Sequence, residues 1–165
     1  MSVTFQGKPI QLKGKLLAQG DALPAFTLVK GDLSAVQPAD FRGKTLILLT
    51  VPSLDTGVCA AETKRFNQEA AKIPQVQVLV VSRDLPFAQS RFCQAEGVDK
   101  VITLSDVRDS GLAERLGVSI ADGVLQGLMA RVAFVVGADG KVKYVQVVPE
   151  ITQEPDYAAI VAAAQ

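Results

Sequence analysis

The segment PSLDTGVCAAETKRFN, residues 52–67, places Cys59 seven residues after Pro52 and three after Thr56. Cys59, Phe66, Ala70 and Ile73 recur on one face of a helix predicted over 56–73, closed by Pro74. A thiol in the first turn of such a helix faces unpaired amides and the positive end of the helix dipole, which favour the nucleophilic thiolate. Taking a thiol's pKa from about 8.5 to about 6 requires roughly 3.4 kcal/mol, whereas a helix terminus supplies ~2 kcal/mol at best. A cation must supply the remainder. Extra acidity also weakens the nucleophile, leaving a net gain of only about threefold. Fast chemistry therefore needs donors aimed at the group the sulfur expels. The Thr56 hydroxyl and the amides near Val58 and Cys59 can be those donors, with Pro52 shielding the thiolate from water. The same residues equally fit a plain core cysteine behind a capping threonine.

Composition narrows the alternatives. The chain has no histidine, which removes Ser-His-Asp and Cys-His activation and His-liganded zinc. Two cysteines without Cys-x-x-Cys spacing are too few for a zinc or iron–sulfur cage, so neither a metal nor another cofactor is expected. Seventeen basic residues balance seventeen acidic ones, which leaves no field to hold nucleic acid. Apolar runs such as Leu46–Val51 have strand length, far short of the ~20 residues of a membrane span. Residues 1–20 carry Lys8, Lys13 and Lys15 among their apolar positions, unlike a secretory signal, so a cytoplasmic location is expected.

The elements that must position these residues alternate between strand and helix. Val3–Phe5 and Ile10–Leu12, parted by Gly7-Lys8-Pro9, read as a small polar hairpin that decorates the fold. Strands are expected at Phe26–Val29, Thr45–Val51, Val76–Ser82 and Val101–Leu104. A helix follows Pro86, with a stripe of Leu85, Ala88, Phe92 and Ala95 and with Gly97 at its end; Cys93 lies on the flank of that stripe. Asp109–Leu116 reads as a short helix and Val118–Met129 as an irregular connection. A hairpin of Val132–Val136 and Val142–Val148 turns at Asp139-Gly140, and a helix over 154–164 ends the chain. The fold class is α/β, a mixed sheet flanked by helices, with residues 1–165 as one domain and 1–20 as its N-terminal hairpin extension.

The pattern Pro52-x-x-x-Thr56-x-x-Cys59 resembles the active-site signature of the peroxiredoxins. SRDLPFAQSRFCQAEG (82–97) and EITQEPDY (150–157) are similar to segments of the bacterial thiol peroxidase subfamily, and the similarity runs over nearly the whole chain. The resemblance implies a thioredoxin-like fold and thiol-dependent reduction of hydrogen peroxide and organic hydroperoxides. It further implies thioredoxin as reductant and a homodimer. By position, Cys59 matches the peroxidatic cysteine, Cys93 the resolving cysteine, Pro52 and Thr56 the active-site partners, and Arg131 the active-site arginine.

Arg131 precedes the apolar run 132–136, and its permanently charged fork could hold both a thiolate and a peroxide oxygen; alternatively it is a strand-end arginine reaching into solvent. Oxidation of Cys59 by a peroxide would give a sulfenic acid, and Cys93 is the only other thiol. A disulfide needs Cα atoms within about 7 Å. Two cysteines on different helices therefore imply local loosening during turnover. Cys93 otherwise reads as a free thiol or half of a static bridge. A thioredoxin-like disulfide shuttle lacks its Cys-x-x-Cys here, and a redox sensor would react once and then bind a partner. Leu54, Ile120, Leu125, Leu128 and Met129 form either an apolar rim for alkyl hydroperoxides or plain core.

Overall fold

A computed structural model describes residues 2–165. The strands are β1 (Val3–Phe5), β2 (Lys8–Ile10), β3 (Leu12–Lys13), β4 (Leu28–Val29), β5 (Ala35–Val36), β6 (Thr45–Thr50), β7 (Val76–Ser82), β8 (Val101–Ser105), β9 (Ser119–Ile120), β10 (Val132–Val136) and β11 (Val142–Val147). The α-helices are α1 (Gly57–Lys72), α2 (Pro86–Glu96), α3 (Leu112–Leu116) and α4 (Tyr157–Ala164). Seven strands form one mixed sheet in the order β11-β10-β6-β7-β8-β4-β5. β6, β7 and β8 run parallel, and β10 lies antiparallel to both β6 and β11.

The central strands are apolar at nearly every position because both faces of the sheet are covered. Ile47, Leu49, Val78, Val80, Ala133 and Val135 point to one side, where Phe66 of α1, Phe92 of α2 and Ile160 of α4 pack on them. Leu46, Leu48, Leu79, Val81, Val132 and Phe134 point to the other, against Leu112 and Leu116 of α3 and residues of the N-terminal segment. This alternation is the two-residue period of a strand.

Several expectations shift. The N-terminal hairpin pairs Val3 with Ile10 and Phe5 with Lys8, and it turns at Gln6-Gly7. Positive φ at both turn residues, 51° and 75°, suits a two-residue hairpin turn, so Pro9 lies within the second strand rather than in the loop. Nor is the hairpin decoration, since Val3 and Ile10 are buried in the main core. In α2 the buried stripe is Pro86, Gln89 and Phe92, while Leu85 and Ala95 are exposed, because the helix is rolled to bring its glutamine onto the sheet. The connection over 118–129 is not wholly irregular, as β9 pairs with β3. Finally, α3 starts at Leu112 and α4 at Tyr157, each three residues later than expected, the latter where Asp156 accepts a hydrogen bond from the Ala159 amide as N-cap.

Candidate active site

β6 delivers the chain to Val51 and Pro52, both buried, and α1 then begins after Thr56. Thr56 has extended backbone (φ −99°, ψ 147°), as an N-cap requires. Its Oγ1 accepts a hydrogen bond from the Cys59 amide at 3.4 Å and donates to the Ser53 carbonyl at 3.0 Å. Cys59 is thus the third residue of the helix, in the turn whose leading amides lack intrahelical acceptors, and it is 0% exposed.

Arg131 arrives from the neighbouring strand. Val132 pairs with Thr50 at the end of β6, and the Thr50 hydroxyl donates to the Ala130 carbonyl at 2.8 Å, so the intervening arginine sits beside the start of α1. It is 2% exposed, which overturns the solvent-reaching alternative. Its Nη2 donates to Cys59 Sγ at 3.3 Å, Nε and Nη2 donate to the Ile151 carbonyl at 3.0 and 2.9 Å, and Nη1 donates to Glu62 Oε2. A buried guanidinium must be compensated in this way. Burial works against its charge, but the Glu62 carboxylate and the Cys59 sulfur outweigh that effect and raise its pKa. Burial pushes Glu62 up to about 7, with Arg131 opposing the shift.

Glu62 and the Ile151 carbonyl are the site groups that sequence reasoning missed. Glu62 carried a signal, because it stands three residues after Cys59 and four before Phe66 and so shares the buried face of α1. The backbone carbonyl carried none.

Cys93 lies on α2, half-buried, with its sulfur 3.5 Å from Thr103 Oγ1. Burial pushes its thiol up, opposed by the Thr103 hydrogen bond. Both cysteines are free. The suggested apolar rim does not form. Leu54 packs with Cys59 on one face of the sheet, whereas Ile120, Leu125, Leu128 and Met129 belong to the core on the other. Among the described residues, no group of three or more His, Cys, Asp or Glu comes together to hold a metal ion, and no helix is long and apolar enough to cross a membrane.

The Redoxin family profile matches residues 18–161. A thiol peroxidase of Leptospira interrogans is 51% identical over 164 residues, covering 98% of this chain and 96% of that protein. Another thiol peroxidase, from Mycobacterium tuberculosis, is 50% identical over 161 residues, with coverage of 98% and 96%. The chain belongs to the redoxin family, among its thiol peroxidases. The crystal structure of a peroxiredoxin-like protein from Aquifex aeolicus superposes on this redoxin with a TM-score of 0.94 at 43% identity, covering 99% of this chain and 95% of that one. The thioredoxin-like mixed sheet of this peroxiredoxin is therefore shared with relatives that match it nearly end to end.

Proposed function

We propose that this peroxiredoxin reduces hydrogen peroxide and organic hydroperoxides at Cys59, with Arg131 as the group that activates both reactants. The observation that carries this reading is the 3.3 Å hydrogen bond from Arg131 Nη2 to Cys59 Sγ between two fully buried side chains. It is the cation that the helix terminus alone could not replace. The thiolate attacks one peroxide oxygen, the O–O bond breaks, and Cys59 becomes a sulfenic acid. The expelled oxyanion takes up a proton and leaves as water or alcohol. Arg131 and the first-turn amides stabilise that oxyanion, the Thr56 hydroxyl joins them by turning its proton away from the Ser53 carbonyl, and Pro52 covers the sulfur.

Cys93 then attacks the sulfenic sulfur, releasing water and forming an intramolecular disulfide. A thioredoxin dithiol reduces the bridge and is itself oxidised to a disulfide. The whole chain acts as one thioredoxin-like peroxidase domain in the cytoplasm, where such a reductant keeps thiols free. A homodimer completes the reading, and the exposed Leu85 and Phe87 at the start of α2 offer apolar surface to a second copy.

The test is a peroxidase assay with hydrogen peroxide and with a bulky organic hydroperoxide, each with and without thioredoxin. Multiple turnovers with thioredoxin are expected, with none in Cys59→Ser, a single turnover in Cys93→Ser, and a rate about 10²-fold lower in Arg131→Met. Full steady-state activity in Cys93→Ser would remove the resolving role.

A further inference from the structure

Between the two cysteine-bearing helices lies a polar chain centred on Asp84, a residue that the reaction as proposed does not use. Asp84, in the turn between β7 and α2, accepts from Ser53 Oγ at 2.7 Å, from the Leu54 amide at 2.8 Å and from Ser82 Oγ at 2.7 Å. From Ser53 the chain continues toward the first cysteine, since its carbonyl accepts from Thr56 Oγ1 at 3.0 Å and Thr56 accepts from the Cys59 amide. From Ser82 it continues toward the second. Ser82 Oγ accepts from Gln89 Nε2 at 3.0 Å, and that amide also donates to the Leu104 carbonyl at 2.9 Å. Gln89 lies on α2, four residues and one turn ahead of Cys93, whose sulfur rests against Thr103 on the same strand as Leu104.

Ser82 and Gln89 are 0% exposed, so these bonds are shielded from competing water. One carboxylate therefore fastens the loop entering α1 to the entrance of α2.

We propose that Asp84 is a positioning residue that latches the Cys59 loop to the Cys93 helix in the reduced molecule, and whose release sets the rate of disulfide formation. The proposal rests on the reading of Cys59 and Cys93 given above. Both sulfurs are covered while the latch is closed, Cys59 fully and Cys93 in part, so neither can travel to the other until the loop or the helix lets go. The closed form is the one in which Thr56, Cys59 and Arg131 face a peroxide together, and the open form is the one that permits the bridge. The latch thus divides the sulfenic acid between two fates. It can condense with the Cys93 thiol, giving the disulfide and water, or be attacked by a second peroxide, giving the sulfinic acid and water or alcohol.

The test is rapid mixing of reduced protein with graded hydrogen peroxide, followed by mass spectrometry of the products, for the wild type, Asp84→Asn and Ser53→Ala. Asp84→Asn weakens the bonds that the carboxylate accepts while keeping its shape, and Ser53→Ala removes a single half-exposed hydroxyl and leaves a folded protein should the first variant not fold. Disulfide formation is expected to quicken about tenfold in Asp84→Asn, the factor for one lost charge-assisted hydrogen bond, and by a smaller factor in Ser53→Ala. The peroxide concentration giving half sulfinic acid rises in proportion, without a matching fall in the midpoint of global denaturant unfolding. Unchanged disulfide rates and an unchanged partition in the folded variants overturn the latch. Failure of the underlying reading shows itself separately, as wild-type protein that gives no disulfide at all.

Discussion

One guanidinium fork of Arg131 donates to both the sulfur of Cys59 and the carboxyl group of Glu62, with all three side chains buried. Burial makes Glu62 hold its proton more tightly when folded, moving its pKa from the usual 4.5 to about 7. The native state therefore binds this proton more strongly than the unfolded chain does. Its stabilising contribution is complete below about pH 4.5 and is lost as the pH rises through about 7. Thermal melts between about pH 5 and pH 8 should accordingly show wild-type protein losing more stability with rising pH than Glu62→Gln, and parallel curves would contradict the assignment. Cys59 could be singled out in the sequence because a helix start and its neighbours bear on its chemistry. For Arg131 the residue pattern alone favoured solvent over the site, since only strand pairing determines which side of the sheet end it occupies.

At the scale of elements, the start of α1 depends on a single hydroxyl. Thr56 caps the helix through the Cys59 amide and is braced by Ser53, so it fixes both the helix origin and the height of the sulfur within the site. Thr56→Val should cost about 1 kcal/mol in denaturant unfolding and slow the peroxide reaction, while Thr56→Ser should keep both close to wild type. A Thr56→Val protein with unaltered stability would mean the cap contributes nothing. Strands β6, β7 and β10 and helix α1 were legible because buried runs and a helical stripe bounded by prolines leave one reading each. The α2 stripe was misjudged for a physical reason. Gln89 is buried, its side-chain amide donating to Ser82 and to the Leu104 carbonyl, and a periodicity built on apolar residues passes over a glutamine held inside the core by those two donations.

Across the whole molecule, residues far apart in the chain meet at the segment following β11. Glu150 accepts from Thr4 Oγ1 at 2.7 Å, from the Gln6 and Gly7 amides at 3.0 Å each, and from Thr152, while the Ile151 amide donates to the Thr4 carbonyl and the Ile151 carbonyl receives Arg131. The N-terminal hairpin thereby braces the peptide that holds Arg131, a link no local pattern could reveal because its partners lie more than 140 residues apart. The Gly7 amide, with Thr4 and Thr152, lowers Glu150 from the usual 4.5 to about 2, so its hold on the hairpin is present above about pH 4.5 and fades as the pH falls toward 2. The Gln6 and Gly7 amide resonances should move together through that window in wild-type protein, and Glu150→Gln should show the released positions already at neutral pH. Amides that do not shift would exclude the brace. The most direct test of the account is peptide mapping of fully reduced protein after one equivalent of hydroperoxide. It should find the peptide containing Cys59 joined by a disulfide to that containing Cys93 in wild-type protein, and Cys59 as sulfenic acid in Cys93→Ser. Recovery of Cys59 as an unmodified thiol, with the hydroperoxide still present, would contradict it.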